Sequence, residues 1–478
     1  KLIGEKHRFR VIKFNKRRRT LERHDYHYVL QDIQEPNLFR DIYTYDLPPL
    51  MCFNHRQVPL APPRDIWITD TTFRDGQQAM PPFTVEQIVD LYKLMNRLSG
   101  PKGKIRQTEM FLYTDKDKEA LRKCRELGFE FPEITGWIRA KKEDLTLVKE
   151  MELSETGILT SSSDYHIFKK LKKTRKQALE GYLEIVRTAL DAGIIPRCHF
   201  EDITRADFYG FVIPFAQELM RLSRESGIPI KIRACDTLGY GVSVPGVMLP
   251  RNVNGIIYGL TKYAGVASGL LEWHGHNDFY RGLNNAVAAW LYGCSAANGS
   301  LLGIGERTGN TPIEALVIEY MGLRGTSDGM DTSAITEIAN YFEKKMNYVI
   351  PPNQPLVGKN FNVTRAGIHA DGLMKDQEIY NIFDTEKVLN RPVDIGITDK
   401  SGVAGIAYWV NQRLEIPESQ KVGKDDQGVK AIKEWVDAQY QAGRNTGISD
   451  EEMLEQARIH FSEWVAYGDT RREAAWED

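Results

Sequence analysis

Two histidines stand two residues apart in His274-Gly275-His276, at the end of a short apolar run, Leu270 to His274 (LLEWH). In an extended strand the side chains at i and i+2 share a face, so both imidazoles can offer a neutral nitrogen to one ion. Gly275 puts no side chain between them, and Asp278 just beyond could orient them. A second group lies in Asp70-Thr71-Thr72-Phe73-Arg74-Asp75-Gly76-Gln77-Gln78, which carries carboxylates, a guanidinium and two amides on one loop. Asp75 offers a hard oxygen. Two imidazoles and one carboxylate leave positions open on an octahedral ion, which a chelating 2-oxo acid fills with its keto and carboxylate oxygens. Such a donor set suits Mn2+ or Mg2+, with Co2+ or Fe2+ as further candidates, better than a closed structural zinc site. The competing reading makes the histidines structural and joins Arg74 to Asp75 in an ordinary salt bridge.

Those residues need a scaffold that brings distant segments to one rim. From Arg64 to Thr311 short apolar runs alternate with longer amphipathic stretches, the pattern of repeated βα units on a parallel sheet. The strand candidates are Asp65 to Asp70, Gln107 to Tyr113, Glu133 to Ile138, Gly157 to Ser161, Pro196 to Glu201, Ile230 to Cys235, Leu270 to His274 and Ser295 to Leu301. Stretches such as Thr84 to Ser99, Lys173 to Ala192 and Phe211 to Ser226 repeat apolar residues every three or four positions, as covering helices do. Eight such units close a (β/α)₈ TIM barrel, an α/β fold, whose active sites sit at the C-terminal ends of the strands. His274, His276 and Asp75 all fall at such ends. Residues 1–63, with several prolines, read as an N-terminal extension, 64–325 as the barrel, and 326–478 as a mostly helical C-terminal lid or arm that includes Ser333 to Tyr348 and Asp425 to Ala442.

The chain has 478 residues, 42% of them hydrophobic and 27% charged, with a formal net charge of −2. That balance argues against nucleic acid or an anionic membrane as a general partner, since both need a broad basic surface. Lys13, Lys16, Arg17, Arg18, Arg19 and Arg23 form a local exception, read as a solvated arm or a subunit contact. Cys52, Cys124, Cys198, Cys235 and Cys294 are odd in number and widely spaced, which suggests reduced thiols. No stretch approaches the ~20 apolar residues of a membrane span, and no signal peptide is evident, so the expected location is cytoplasmic.

DTTFRDGQQ, EWHGHND and GIGERTGN together resemble the isopropylmalate synthase and homocitrate synthase family of metal-dependent barrel enzymes. SSSDYHIFKKLKKTRKQALE, FEDITRAD, ACDTLGYG and FNVTRAGIHADGLMKDQEIY extend the likeness over about Arg64 to Leu414. The resemblance implies a Claisen condensation of acetyl-CoA with a 2-oxo acid. PNLFRDIYTYDLPP in the N-terminal arm, and RDGQQ where relatives carry RDGEQ, point toward members that make citrate from oxaloacetate. Homocitrate and isopropylmalate synthesis are the alternatives. About 65 residues follow Leu414, fewer than the regulatory domain of leucine-inhibited relatives, so leucine inhibition is not expected.

By the same resemblance Asp75, His274 and His276 are metal ligands, with Asn310 a neighbour or additional ligand. Arg74 stabilises the oxyanion, Thr237 binds the substrate carboxylate, and His166 contacts the far end of the 2-oxo acid. His369 removes a proton from the acetyl methyl group, with Tyr380 close by and Glu201 in a supporting network. Related arms reach into a neighbouring barrel, which implies a homodimer with His369 acting in trans. Tyr113 and Arg139 are candidates for reading a second carboxylate. Gln77 and Phe200 depart from the family pattern and are expected to reshape the pocket, while Gly303, Gly305 and Gly309 could bring backbone amides to a phosphate or thioester.

Three rival readings stand beside this one. A carbon–carbon lyase of the hydroxymethylglutaryl-CoA type would need a cysteine in the loop that reads GIGERTGN, and none is there. A biotin-dependent carboxyltransferase would lack the GIHADG arm. A catalytically silent protein would have lost part of the set Arg74, Asp75, His274, His276 and His369.

Overall fold

The computed structural model describes residues 9–15, 19–26, 28–54 and 56–465. Its contacts divide the chain into two compact units, Lys1–Ala334 and Ile335–Asp478. The first holds a closed barrel of eight parallel strands: β3 (Trp67–Asp70), β4 (Ile105–Met110), β5 (Glu133–Ile138), β6 (Glu155–Ser161), β7 (Ile195–Glu201), β8 (Lys231–Asp236), β9 (Leu271–Gly275) and β10 (Ala296–Gly299), with β10 closing onto β3. Ahead of it, β1 (Phe9–Asn15) and β2 (Thr20–Tyr26) pair as an antiparallel hairpin. Of the basic run, Lys16, Arg17 and Arg18 lie outside the described residues, and Lys13 and Arg23 fall on the hairpin strands.

The helices that cover the barrel are α1 (Val85–Ser99), α2 (Asp115–Glu126), α3 (Leu145–Glu150), α4 (Arg175–Asp191), α5 (Ile213–Ser226), α6 (Val253–Lys262), α7 (Gly282–Tyr292) and α8 (Ile313–Arg324). Their starts follow local capping chemistry: Thr84 with Gln87, and Thr174 with Gln177, form reciprocal capping boxes that satisfy the first free N–H groups. Gly325 closes α8 in the left-handed conformation.

The barrel interior is ionic. Alternate positions of the strands point inward, and this places Glu109, Glu155, Arg197, Arg233 and Glu272 inside, all nearly fully buried. Arg197 bonds Glu109 at 2.9 Å and Glu155 at 3.0 Å, and Arg233 bonds Glu109 at 3.0 Å and Glu272 at 2.8 Å. A Cβ on Gly157 would lie 2.6 Å from His199 Nε2 and 2.8 Å from Glu109 Oε2, so only glycine admits this network. Such pairs are marginal in net stability, but removing one partner leaves an uncompensated charge and costs about 3–5 kcal/mol.

Before β3 the described residues between 28 and 66 form no helix or extended strand and are tied down by hydrogen bonds to the barrel. Buried Arg175 donates to Gln31 O at 3.0 Å, Asn37 N donates to Asp164 at 2.7 Å, and Arg251 donates to Pro49 O at 2.9 Å and Leu50 O at 2.5 Å. The stretch from Gln31 to Leu50 is thus an arm fastened to the barrel.

The second unit contains α9 (Ala334–Met346), whose first residue closes the first unit, then α10 (Gly367–Lys375), α11 (Thr385–Leu389), α12 (Val403–Arg413), α13 (Gln427–Gln441) and α14 (Asp450–His460). A short parallel pair, β11 (Val363–Thr364) with β12 (Asp394–Ile395), is added. Its core gathers Ile406, Trp409, Val429, Ile432, Val436 and Met453 from α12, α13 and α14. The expected boundary at 325/326 falls at the end of α8. Among the described residues no helix is long and apolar enough to cross a membrane. The five cysteines are unpaired.

Candidate metal centre and its surroundings

Asp75 reaches the barrel axis because the turn after β3 folds back on itself. Thr71 O accepts the N–H groups of Arg74 (3.2 Å), Asp75 (2.8 Å) and Gly76 (3.1 Å), so Arg74 and Asp75 project together. Thr72 Oγ1 accepts the N–H of Leu301 at 2.8 Å and also bonds Asp70, which ties this turn to the loop after β10. His274 is the penultimate residue of β9, and His276 follows the strand. Their rings lie 5.1 Å apart at 81°, and their Nε2 atoms stand 3.7 and 3.5 Å from Asp75 Oδ2. Asn310 is brought in by a bridge to His276 and is itself buried.

Protonation states in the cluster suit a cation. Asn298 Nδ2 donates to Thr69 Oγ1 at 3.0 Å, which turns Asn298 Oδ1 toward His274 Nδ1 at 2.7 Å. His274 therefore carries its proton on Nδ1 and leaves the Nε2 lone pair facing Asp75. Burial and the neighbouring His276 push the His274 imidazolium down to about 3, outweighing the opposing pull of Asp75. Burial likewise lowers His276. Burial alone would raise the Asp75 carboxyl, but Arg74, His274 and His276 overcome it and bring it to about 2. At neutral pH the set is one carboxylate and two neutral imidazoles, the states a divalent ion requires. Asp75 Oδ2, Asn310 Oδ1 and His276 Nδ1 are buried without a hydrogen-bond partner. Buried polar atoms are seldom left so. Among the described residues, the ligand atoms of Asp75, His274 and His276 are the group of histidine, cysteine and acidic side chains within 4.8 Å of one another. The donors fit a hard divalent cation.

Arg74 stands beside them. Its Nε donates to Glu109 at 2.8 Å and its Nη1 meets Asp75 at 3.2 Å; neither contact uses Nη2. Its guanidinium also lies over the Trp137 ring at 5.6 Å. Glu109 stays ionised because Arg233 and Arg74 outweigh the burial that would raise it.

A second group occupies the ends of β7 and β8. Glu201 accepts from His166 Nδ1 at 2.9 Å, pairs with Lys170 at 3.3 Å and bonds Ser161 Oγ. Burial would raise its carboxyl, yet the bond from His166 and these neighbours lower it to about 2. Thr237 Oγ1 accepts the Asp202 N–H at 2.9 Å. The strand ends meet where His276 N donates to Asp236 O at 3.3 Å. A third group lies in the second unit, where His369 on α10 and Tyr380 have ring centroids 4.5 Å apart and are both exposed.

Several expectations are redirected by the geometry. Asp278 does not turn to the histidines: it pairs with Arg307 at 2.8 Å, and Arg307 donates to Thr237 O at 2.6 Å. Gln77 spends its amide on Phe73 O, Phe83 N and Lys116, and Phe200 stacks on Phe215 at 4.7 Å. Arg139 is held by both oxygens of Asp144, which also accepts from Tyr113. Gly303 and Gly309 donate their N–H groups inside their own loop, to Ser300 O and Glu306 O, and serve to present Asn310. Two contributors escaped the sequence reading, Glu109 and Asn298. For Asn298 the available signal was a polar residue in the otherwise apolar AANG strand; Glu109 sits in the polar run IRQTEM and offered none.

The HMGL-like family model matches residues 65–342. A protein of Syntrophus aciditrophicus (strain SB) named citrate (Re)-synthase is 58% identical over 456 residues, covering 95% of this chain and 72% of that protein. The citrate (Re)-synthase of Clostridium kluyveri is 56% identical over 428 residues, 90% of this chain and 94% of the relative. The 2-phosphinomethylmalate synthase of Streptomyces hygroscopicus is 35% identical over 432 residues, with coverage of 89% and 96%.

Proposed function

The chain belongs to the HMGL-like family, and from that membership we propose that it condenses acetyl-CoA with oxaloacetate to give citrate and CoA, adding to the Re face of the keto group. The observation that carries this reading is the 56–58% identity to two citrate (Re)-synthases over at least 90% of the chain. It agrees with a cluster whose charge states suit a chelating 2-oxo acid.

Asp75, His274 and His276 would hold a divalent ion, Mn2+ or Mg2+ by the hardness of the donors, with Asn310 as neighbour or further ligand. When bound there, the ion polarises the keto oxygen of the 2-oxo acid. Arg74 is fixed by Glu109 and Asp75, and its free Nη2 serves the negative charge that develops on that oxygen. The donor is set before the reaction, so no reorganisation is needed. Thr237 follows β8, and His166 follows β6 and meets Glu201 at the end of β7; the substrate carboxylates would lie beside these strand ends. Glu201 fixes the His166 ring through Nδ1 and so sets its tautomer.

A base must take a proton from the acetyl methyl group, and His369 has that role here, with Tyr380 against its ring. The resulting enolate carbon attacks the keto carbon, and the carbonyl electron pair moves onto oxygen, which is then protonated. Water cleaves the thioester and releases CoA, which makes the sequence effectively irreversible. The working form is a homodimer in which His369 serves the partner's barrel. The test is CoA release from acetyl-CoA with Mn2+ and each of oxaloacetate, 2-oxoglutarate and 2-oxoisovalerate. Oxaloacetate is expected to dominate. Preference for another acid would move the chain to homocitrate or isopropylmalate synthesis.

A further inference from the structure

The N-terminal arm builds a cavity whose lining contains none of the metal-cluster residues. Residues 40–49 of the arm close over the loops that follow β6, β7, β8 and β9, enclosing about 530 Å³. One wall is the Tyr165 ring, flanked within the lining by Arg205 at 4.0 Å and Arg40 at 5.9 Å from the centroid, with Lys169, outside the lining, 5.5 Å from the same centroid. Arg205 is paired with Asp202 at 2.9 Å. Among the described residues, no carboxylate lies within ion-pair distance of Arg40 or Lys169; Arg40 donates only to Tyr43 O at 3.2 Å. Asp46 is the one acidic residue of the lining and faces solvent. Like charges gathered at one ring repel, so this wall favours an anion. The opposite wall is aromatic, Tyr240 against Phe279 at 4.8 Å, and Tyr45 on the arm is 91% exposed.

The cavity lies beside the metal cluster. Asp236 O accepts both the N–H of Gly239, in the loop that lines the cavity, and that of His276. Phe279 follows His276 by three residues, so its Cα is within about 11 Å of that of the ligand. Arg40 without a carboxylate partner, Arg205 and Lys169 at the same ring, planar aromatic faces and a neighbouring reaction centre together describe the seat of a molecule with a phosphorylated nucleotide at one end and a long flexible arm at the other.

We propose that this cavity takes the nucleotide end of the acyl-CoA, with Arg40, Lys169 and Arg205 on its phosphates and the aromatic side chains on its base. The assignment rests on the reading of acetyl-CoA as substrate. A free adenine nucleotide shares the same chemistry, and the experiment separates the two sources.

The full-length protein and the variant Arg40→Ala/Lys169→Ala, which alters two exposed side chains, are titrated calorimetrically with CoA, pantetheine and ADP. The native protein is expected to prefer CoA to pantetheine, with ADP displacing CoA, and the variant to lose that preference about tenfold or more. The specificity ratio kcat/KM for acetyl-CoA over S-acetylpantetheine should fall in parallel. Equal binding of CoA and pantetheine by the native protein, or an undiminished preference in the variant, overturns the proposal. ADP that binds without displacing CoA assigns the cavity to a free nucleotide and overturns it too. A lack of turnover with every 2-oxo acid, alongside an intact CoA preference that the variant loses, would count against the condensation and leave the cavity assignment standing.

Discussion

At the scale of single residues, the chemistry depends on groups held in a chosen charge state. Asp75 is ionised and both imidazoles are neutral because burial, a guanidinium and mutual proximity act on the same three side chains. His276→Ala should therefore abolish Mn2+ binding and activity together, while His369→Ala should abolish activity and leave the metal in place; metal content and turnover of both variants check this, and equal metal loss in the two refutes the assigned roles. Arg74, Asp75, His274 and His276 were legible in the sequence because each signal is local, a spacing of two or an adjacent pair. Glu109 and Asn298 were not, since their partners come from other strands: Asn298 meets His274 through the β9–β10 register, and Glu109 on β4 meets Arg74 on the turn that follows the neighbouring β3. The same limit explains Gln77 and Phe200, whose sequence positions beside the motifs say nothing of where their side chains point.

At the scale of elements, all eight strands stand where the hydrophobic alternation put them, and their ends shift by a residue or a few; β4, for example, is Ile105–Met110 against an expected Gln107 to Tyr113. The pattern of burial is set by residues in the strand interior, whereas the ends are set by where the next loop takes its hydrogen bonds. The ionic filling of the barrel was not legible, since charged residues inside strands pair only after closure. The loop from Ser300 to Pro312 is the element most sensitive to change. Gly309 has φ +88°, and a Cβ there would lie 2.0 Å from Gly303 O. Gly309→Ala is expected to cost about 1–3 kcal/mol in stability and to weaken Mn2+ binding by displacing Asn310; unchanged affinity would detach that loop from the metal centre. Glu314, at the start of α8, accepts the Leu302 N–H at 3.0 Å and so braces the same loop. Burial, against the lowering by these N–H groups, pushes its carboxyl up to about 7 from an ordinary 4.5. The folded state thus binds the proton more tightly than the unfolded chain, so this stability is complete below pH 4.5 and is lost as pH rises through 7. Glu314→Gln keeps the acceptor and removes the titration. Denaturant unfolding at pH 5 and pH 8 should show the variant gaining about 2 kcal/mol relative to the native protein across that interval, and parallel pH profiles would contradict the role.

At the scale of the whole molecule, the N-terminal arm is part of the barrel unit, and the helical unit carries His369 on an exposed face of α10. An exposed histidine–tyrosine pair on a separate unit suits a group that completes a neighbour's site. If it does, inactive His276→Ala and inactive His369→Ala proteins, mixed under conditions that let subunits exchange, should recover about a quarter of native activity, because half the dimers are then mixed and each has one complete site. No recovery despite demonstrated exchange would place His369 and the metal in the same subunit. The expectation of a barrel with a helical appendage was legible from periodicity alone; the order of the arm was not, because it is held by single hydrogen bonds to side chains such as Arg175 and Arg251 that no local pattern announces. The most direct measurement is the stereochemistry of citrate formed from carbon-labelled acetyl-CoA and oxaloacetate with Mn2+. The prediction is stoichiometric CoA release with the label in the citrate arm opposite to the one filled by Si-face addition; label in the Si-face arm, or no citrate at all, would contradict it.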